Sequence, residues 1–442
     1  MGLNDTPKGN RIHIALFGKR NAGKSSLINA ITNQQLAIVS EVKGTTTDPV
    51  YKAMELLPLG PVMMIDTPGL DDEGALGEQR IEKTMEVLQK TDIALLVVDT
   101  ETYLKERQEY LYRKSDSLLQ EEKKILELVK ERNIPYLVVW NKIDLLENPE
   151  EGTSISMKNL EEDIQSELGI KKDVVCAVST ITNDGIHMLK EAIAKQLPAE
   201  EEKFQIVADL LHPSDFVVLV VPIDKAAPKG RLILPQQQTI RDILEADAIA
   251  IVTKEYELRE TLEHLGRKPR MVITDSQVFA KVSADTPKDV LLTSFSILMA
   301  RYKGDLTELV KGAFAVEKLK DGDKILMSEG CTHHRQCDDI GTVKIPRWLV
   351  GHTGKNLLFE SSSGNGYPKD LSEYAMIVHC GGCMLNRKEM KYRMAKAKEQ
   401  GIPIVNYGIL IAYMQGILER SIQAFPEVLV EIEEMEEITE EC

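Results

Sequence analysis

Runs of apolar residues alternate with polar, helix-forming stretches along this chain, and the apolar runs end in short loops. The first run, at residues 12–17, precedes a glycine-rich turn and a helical pattern that starts at residue 24. Further apolar runs at 62–65 and 136–140 also end in polar loops. Repeated strand, loop and helix units predict an α/β fold, in which the loops that follow parallel strands share one edge and bind ligands there.

The same alternation resumes after residues 195–204, a charged, proline-bearing stretch that is typical of a linker. Four β-branched runs separated by helical patterns lie between residues 215 and 298, and the last block of the chain repeats this arrangement. A chain of 442 residues is also too long for one ordinary core. We therefore predict three domains, at 1–200, 201–305 and 306–442, of which the last two are smaller parallel-sheet α/β domains.

Composition and charge narrow the class of protein. Hydrophobic residues make up 43% of the chain and charged residues 28%, as in a globular protein. No apolar run reaches the roughly 18 residues that a membrane span needs, and the start lacks the basic and apolar regions of a signal peptide. With 54 basic and 70 acidic residues, the net charge of −16 opposes nucleic-acid binding. We expect a cytoplasmic protein without membrane or nucleic-acid partners.

The first glycine-rich turn carries a phosphate-binding motif. Gly18, Gly23, Lys24 and Ser25 fit the pattern G-x-x-x-x-G-K-[ST] between a strand and a helix. Glycines let backbone N–H groups converge on phosphate oxygens, and the N-terminus of the helix favours negative charge. We expect Lys24 to reach the β- and γ-phosphates and the Ser25 hydroxyl to bind Mg²⁺.

A second apolar run ends in Asp66-Thr67-Pro68-Gly69. Asp66 is expected to hold Mg²⁺ through water, and the N–H of Gly69 is expected to sense a γ-phosphate. The order of these groups along the chain is that of a nucleotide-hydrolysing site.

Two more strand ends predict that the base is guanine. Asn141 and Lys142 precede Asp144, whose carboxylate can accept two hydrogen bonds from guanine, whereas adenine offers no such pair of donors. Ser179 and Thr180 follow another apolar run and are suited to closing the base pocket. The four motifs together predict a protein that binds GTP.

Over residues 11 to about 198, these motifs resemble those of Ras-like P-loop GTPases of the translation-factor-related class. Residues 42–49 resemble the switch I segment G-T-T-R-D of members that act in tRNA modification and ribosome assembly, with Thr47 in place of Arg. The resemblance implies that Thr46 binds Mg²⁺ and that Asn21 helps to bind K⁺, whose charge would act beside the phosphates. Leu70 replaces the water-positioning Gln of Ras, which implies slow hydrolysis of GTP to GDP.

The motifs and the resemblance together define the expected site residues. The catalytic set is Lys24, Asn21, Thr46 and Gly69. The Mg²⁺ ligands are Ser25, Thr46 and Asp66. The nucleotide-binding set is Gly18, Asn21, Ala22, Gly23, Lys24, Ser25, Ser26, Thr45, Thr46, Asp66, Thr67, Pro68, Gly69, Asn141, Lys142, Asp144, Ser179 and Thr180.

Four of the six cysteines crowd into the last quarter of the chain. Cys331 follows one predicted strand, and Cys380 and Cys383 follow another, so the three should meet at one sheet edge. A redox dithiol would use only Cys380 and Cys383 and would leave Cys331 unexplained. A zinc site of three cysteines and a histidine fits the residue types, and so does a four-iron cluster with an imperfect fourth ligand.

The pairing of Cys331 and His333 with His379, Cys380 and Cys383 resembles the C-x-H…H-C-x-x-C signature of the HydF family, GTPases that mature the active site of iron–iron hydrogenase. The resemblance covers essentially the whole chain. It implies a four-iron–four-sulfur cluster on the three cysteines, with the two histidines as candidates for the fourth ligand.

That family also implies a middle domain that forms a homodimer, and a role as scaffold and carrier of a transient diiron subcluster. Its implied partners are apo-hydrogenase and the radical-SAM hydrogenase maturases. Cys337 lies outside the signature but close enough to be a rival ligand.

A second hypothesis is a potassium-stimulated GTPase with a zinc or redox C-terminal domain that acts in RNA modification or ribosome assembly. The acidic balance of the chain disfavours it, because binding to nucleic-acid phosphates needs basic surface.

Overall fold

The computed structural model describes residues 6, 8–32, 48–69, 83–113, 118–146, 157–196, 205–222, 232–330, 339–364 and 366–432. The chain divides into two compact units, residues 1–202 and 203–442. Each unit has its own sheets and core.

The first unit is built on a six-stranded sheet. Its strands are β1 (Ile12–Phe17), β2 (Val50–Leu56), β3 (Gly60–Asp66), β4 (Ile93–Asp99), β5 (Tyr136–Asn141) and β6 (Val175–Ala177). Its helices include α1 (Lys24–Thr32), α2 (Thr100–Arg113), α3 (Gln120–Glu131), α4 (Met157–Leu168) and α5 (Ile186–Gln196). The strand order is β2-β3-β1-β4-β5-β6, and only β2 is antiparallel to its neighbour. This confirms the predicted Ras-like P-loop fold.

The second unit contains two parallel four-stranded sheets. The first has the order β10-β9-β7-β8, and the second has the order β12-β11-β13-β14. The strands are β7 (Phe216–Val220), β8 (Ile249–Thr253), β9 (Met271–Thr274), β10 (Leu291–Ser294), β11 (Lys324–Glu329), β12 (Leu358–Ser363), β13 (Met376–His379) and β14 (Ile404–Asn406).

Helices α6 to α14 connect and cover these strands. They are α6 (Leu234–Glu245), α7 (Leu258–His264), α8 (Phe279–Asp285), α9 (Phe295–Lys303), α10 (Leu306–Phe314), α11 (Ile345–Thr353), α12 (Arg387–Glu399), α13 (Tyr407–Met414) and α14 (Leu418–Ile422). Apart from β12, each strand of this unit is followed by a helix, which confirms the predicted parallel α/β architecture.

The two sheets of the second unit share one hydrophobic core. Buried residues from β7 and β9 belong to the same cluster as buried residues from β11, β13 and β14. The predicted domains 201–305 and 306–442 therefore pack together, with α9 and α10 between their sheets in the chain.

One predicted loop is a helix instead. The stretch after β14 was expected to leave the strand as a loop, but α13 begins at Tyr407, directly after Asn406. The Asn406 side chain accepts hydrogen bonds from the backbone N–H groups of Gly408 and Ile409. Such an N-cap satisfies donors that a helix start otherwise leaves unpaired, and so a helix can follow the strand without a connecting loop.

No helix within the described part of the chain is both long and apolar enough to cross a membrane.

Candidate functional site

The phosphate-binding turn after β1 can be made only with glycine at two positions. A Cβ on Gly18 would lie 2.4 Å from the carbonyl oxygen of Val97 in the neighbouring strand β4. Gly23 has a φ of +88°, and its Cβ would lie 2.2 Å from the amide nitrogen of Asn141. Asn21 also has a left-handed φ of 57°, which asparagine tolerates better than most residues. The turn is thus pressed against β4 and β5.

Lys24 starts α1 and points back into this turn. Its Nζ donates hydrogen bonds of 2.8 Å to the carbonyl oxygens of Gly18 and Lys19, and the residue is only 7% exposed. The ammonium group is therefore held at the mouth of a loop whose N–H groups can bind phosphate.

The predicted metal ligands Ser25 and Asp66 lie together. The Ser25 hydroxyl donates a hydrogen bond to the Asp66 carboxylate across the gap between α1 and β3. A hydroxyl and a carboxylate at one point are oxygen ligands of the kind that Mg²⁺ prefers. Thr45 and Thr46 lie outside the described residues. Among the residues that the structure describes, no group of three or more His, Cys, Asp or Glu side chains is arranged to hold a metal ion.

The segment after β3 runs beside the phosphate-binding turn. Thr67 donates its hydroxyl to the carbonyl oxygen of Leu16 at 2.6 Å, and both Thr67 and Pro68 are buried. A Cβ on Gly69 would lie 2.9 Å from the Cα of Arg20. The backbone of Gly69 is therefore in contact with the turn, as a γ-phosphate sensor at this position requires.

The base pocket is assembled from two strand ends. Asn141 is fully buried, and its side-chain amide donates to the carbonyl oxygen of Ala22 at 3.0 Å. Ser179 donates its hydroxyl to Asp144 Oδ1 at 2.6 Å. Ser179 also accepts hydrogen bonds from the backbone N–H groups of the turn that follows Thr180. Asp144 is thus held from one side, and its second oxygen is left for a ligand.

Lys142 lies beneath this pocket with a left-handed φ of 63°. Its Nζ lies 3.2 Å from Oδ1 of Asp99, a carboxylate at the end of β4 that is almost fully buried. Ser26, also predicted to bind nucleotide, occupies the first turn of α1 and is half-buried. The residues predicted for the nucleotide site, apart from the two threonines named above, therefore occupy one edge of the sheet.

The sequence motifs do not predict a buried charged cluster that lies beside the phosphate-binding turn. Lys19 forms an ion pair with Glu106 of α2 and lies 3.4 Å from the carboxylate of Glu122, which is 2% exposed. Burial raises the pKa of Glu122, and the charge of Lys19 opposes that shift. Burial alone would lower the pKa of Lys19, but the charges of Glu122 and Glu106 outweigh it. The cluster ties the phosphate-binding turn to α2 and α3.

The cysteine site lies in the second unit, at the carboxyl edge of the second sheet. Strands β11 and β13 are parallel neighbours, with Ser328 paired with His379. Cys380 directly follows β13, and Gly330, which precedes Cys331, follows β11. The topology therefore places Gly330, the residue before Cys331, next to Cys380 at the ends of neighbouring strands.

Backbone N–H groups of Gly330 and Gly382 hold the sulfur of Cys380. Its Sγ accepts a hydrogen bond from the N–H of Gly330 at 3.1 Å and another from the N–H of Gly382 at 3.4 Å. Gly382 has a left-handed φ of 59°, a conformation that favours glycine. Burial raises the pKa of the Cys380 thiol, and the two N–H groups oppose that shift. Cys380 is not part of a disulfide.

Such N–H donors stabilise the negative charge of a thiolate, and hydrogen bonds to cysteine sulfur are one way in which proteins tune iron–sulfur clusters. Cys380 therefore fits a cluster ligand. Cys331, His333 and Cys337 lie outside the described residues, so their roles stay predictions.

His379 has both ring nitrogens engaged. Nδ1 lies 2.7 Å from the carbonyl oxygen of Cys380, and Nε2 lies 3.1 Å from Nη1 of Arg393 in α12. The side chain is completely buried, and burial together with the Arg393 charge lowers its pKa to about 3. His379 is thus a neutral ring that donates through Nδ1 and accepts through Nε2. To bind iron, it would have to exchange one of these two bonds for a metal bond.

The last residue of α9, Lys303, forms hydrogen bonds with the backbone of the loop that carries Cys383. Lys303 is 1% exposed, and its Nζ donates to the carbonyl oxygens of Gly382, Cys383 and Leu385 at 2.8–2.9 Å. Burial lowers the pKa of Lys303 to about 8, against the opposing effect of the Cys383 and Cys380 thiols. Sequence reasoning missed this residue, because Lys303 lies 80 residues from Cys383 and belongs to no motif.

Three family matches follow one another along the chain. Residues 13–142 match the 50S ribosome-binding GTPase family. Residues 206–304 match the hydrogen maturase F dimerization domain, and residues 307–424 match the hydrogen maturase F tetramerization domain. The chain belongs to the hydrogen maturase F family.

The chain is also similar to curated GTPases over about two fifths of its length. The chain is 33% identical over 186 residues to the tRNA modification GTPase MnmE of Thermotoga petrophila, covering 41% of this chain and 35% of that protein. It is 31% identical over 183 residues to GTPase Der of Clostridium perfringens, covering 40% of this chain and 37% of that protein. The chain thus spans about a third of the length of these relatives.

Among solved structures, the chain resembles a probable GTP-binding protein engB, with 20% identity and a TM-score of 0.33. That match covers 42% of this chain and 97% of the other. The FeoB G-domain from Methanococcus jannaschii matches with 21% identity and a TM-score of 0.28, over 42% of this chain and 97% of the other.

Proposed function

We propose that this hydrogen maturase F family member is a GTP-hydrolysing scaffold. It would hold the diiron subcluster of iron–iron hydrogenase and deliver that subcluster to the apo-hydrogenase. The observation that carries the proposal is the hydrogen bond from the N–H of Gly330, the neighbour of Cys331, to the sulfur of Cys380. The family membership of the chain supports the same role.

Cys331, Cys380 and Cys383 are the residues we assign to a four-iron–four-sulfur cluster. Three thiolates leave one iron without a cysteine, and a cluster bound in this way would supply one exchangeable coordination position. The diiron subcluster is the cargo that such a position could receive. The thiolates of the three cysteines would bind the cluster. The N–H groups of Gly330 and Gly382 orient the sulfur of Cys380, and the carbonyl oxygen of Cys380 keeps His379 in one tautomer.

We assign to the GTPase unit the control of when protein partners bind and leave. Family membership and relatives support binding of GTP, GDP and Mg²⁺ and the hydrolysis of GTP. The finer proposals are that K⁺ stimulates hydrolysis through Asn21 and that Thr46 completes the Mg²⁺ site. Asn21 lies within the phosphate-binding turn between β1 and α1, which supports a role there.

Self-association is part of the proposal. The matches to dimerization and tetramerization domains support it, and we assign the homodimer contact to the sheet of residues 206–304. Apo-hydrogenase and the radical-SAM maturases are the proposed partners, and the cytosol is the proposed compartment.

The deciding experiment is metal analysis with electron paramagnetic resonance on full-length protein that is purified and reduced without oxygen. We expect close to four irons per chain and the signal of a reduced four-iron cluster. Alanine at Cys331, Cys380 or Cys383 should remove most of the iron, whereas alanine at Cys176, a half-buried cysteine of the first unit, should leave it unchanged.

Zinc in place of iron, or no metal at all, would contradict the scaffold and favour the zinc or redox alternative. Full iron with an unchanged signal in Cys331→Ala would contradict the three-cysteine site and make Cys337 the next ligand to test.

A further inference from the structure

Lys303 is the end of a helix that belongs to the module before the cysteines. It closes α9, within the stretch of residues 206–304 that matches the dimerization domain. Its side chain nevertheless ends inside the loop that carries Cys383, where it is 1% exposed. A buried cation of the dimerization module thus lies inside the loop of the following module that carries Cys383.

The geometry around Nζ is complete for an ammonium group. It has three N–H donors, and three carbonyl oxygens accept them, from Gly382, Cys383 and Leu385. A neutral amine has only two donors and could not bond all three of these carbonyls at once. The three acceptors span the turn that contains Cys383, so one side chain fixes the path of this backbone.

The other end of α9 is also anchored to the cysteine module. Ser296 donates its hydroxyl to Asn406 Oδ1 at 3.1 Å, and the Asn406 amide donates to the Ser296 carbonyl oxygen at 3.2 Å. A Cβ on Gly408 would lie 2.5 Å from the Cβ of Ser296, so the helix packs directly on the start of α13. Both ends of α9 are thus bonded to the cysteine module, and these contacts position Nζ in the loop.

The carbonyl oxygens around Lys303 carry only partial charge. A buried cation is costly unless negative charge lies nearby. Cys380 and Cys383 would supply that charge as thiolates, and a reduced iron–sulfur cluster would add to it. Carbonyl contacts and thiolate charge together therefore give a reason for a lysine at this point rather than an apolar residue.

We infer that Lys303 is a positioning residue for the cysteine site, supplied by the dimerization module, and that its charge stabilises the reduced form of the cluster bound there. The part of this inference that concerns the cluster rests on the proposed function. The part that concerns the loop does not, because it can be measured on protein without iron.

The experiment compares full-length Lys303→Met and Lys303→Gln with the parent and with Lys311→Met. Lys311 is a matched control, because it lies in α10 of the same unit and pairs with Glu431, with part of its side chain exposed. In protein without iron, hydrogen exchange of residues 381–386 should be at least about tenfold faster in Lys303→Met. Lys311→Met should exchange like the parent.

After anaerobic reconstitution, Lys303→Met should hold less iron. Lys303→Gln keeps N–H donors without the charge, so it should hold the cluster at a midpoint potential more negative than that of the parent. Reduction adds negative charge, and a nearby cation favours it.

Parent-like loop exchange in Lys303→Met would overturn the positioning role, and an unchanged potential in Lys303→Gln would overturn the charge role. If Lys303→Met does not fold, the same two measurements on Lys303→Gln decide. A parent protein that binds no iron would contradict the proposed function, while the exchange comparison would still decide the loop contact.

Discussion

At the scale of single residues, we expect Asp144 to determine the base specificity. Ser179 donates to one of its carboxylate oxygens at 2.6 Å, which fixes the orientation of the group and leaves the other oxygen for guanine. Asp144→Asn replaces an acceptor with a donor. We expect GTP affinity to fall about 100-fold or more, because each hydrogen bond to a charged group contributes about 1.5–3 kcal/mol. Xanthosine triphosphate should bind better to Asp144→Asn than to the parent.

The measurement is titration with fluorescent nucleotides, with Asp173→Asn as the control. Asp173 is an exposed aspartate of the same unit that precedes β6. GTP binding by Asp144→Asn as tight as that of the parent would contradict the guanine-pocket assignment.

A second residue-scale prediction concerns Asn21. If its side-chain oxygen helps to bind K⁺ beside the phosphates, GTP hydrolysis should be faster in KCl than in NaCl at equal ionic strength. Asn21→Gly should lose this difference, because glycine adopts the φ of 57° without strain and removes only the side chain. Steady-state phosphate release in the two salts measures the effect. Equal rates for the parent in both salts would remove the assigned role of Asn21.

Sequence patterns identify candidate site residues where the chemistry is local. Gly18, Lys24 and Asp66 were predicted because each motif lies within a few residues of one strand end. Arg393 and Lys303 were not, because their partners come from other elements: Arg393 bonds the ring of His379 from α12, and Lys303 reaches its carbonyl partners from α9. No pattern along the chain distinguishes these two from ordinary surface cations.

At the scale of elements, the parallel sheets followed from apolar runs, but the close packing of helices on them did not. Helix α10 lies so near β14 that a Cβ on Gly312 would be 1.9 Å from the carbonyl oxygen of Ile404. A glycine inside a helix pattern indicates only lower helix propensity. The sequence also did not predict that α13 starts directly after β14, because an Asn in that position is typical of loops as well as of helix caps.

Gly312→Ala tests this packing. The added methyl group would meet backbone that cannot move without shifting β14, so we expect a loss of about 1–3 kcal/mol in the free energy of unfolding of the second unit. Gly351→Ala is the matched control, because it is also helical, in α11, and its Cβ would meet nothing within 4 Å. That change should be neutral or stabilising by up to about 1 kcal/mol.

Urea unfolding of the full-length variants, followed by circular dichroism, measures both effects. Gly312→Ala with a midpoint equal to that of Gly351→Ala would show that α10 and β14 tolerate separation, against the contact described above.

At the scale of the whole molecule, strand β8 has the features of an edge used for self-association. It is the last strand of its sheet, and Ile249 and Val252 are 41% and 48% exposed. An open strand edge offers unpaired N–H and C=O groups that another chain can extend. A homodimer that continues this sheet across a two-fold axis would cover both copies of the edge.

The direction of the backbone groups on β8 allows a selective test. Ile249 donates its N–H to Asp215, next to β7, and it pairs with Phe216 in a parallel ladder. Alternate residues of such a strand face the same neighbour, so the N–H of Val252 points away from β7. Proline at 252 would remove only this outward donor and leave the ladder to β7 intact, as proline in an edge strand can.

We therefore expect Val252→Pro to sediment as a monomer at concentrations where the parent is a dimer, with nearly the same unfolding midpoint. Val252→Thr keeps both the N–H and a β-branched side chain, so it should remain a dimer if backbone pairing holds the contact. A monomeric Val252→Thr would instead mean that the exposed apolar side chain makes the contact. If Val252→Pro sediments as a dimer and stays folded, the β8 edge is not the dimer interface, and the homodimer must form through another surface of the chain.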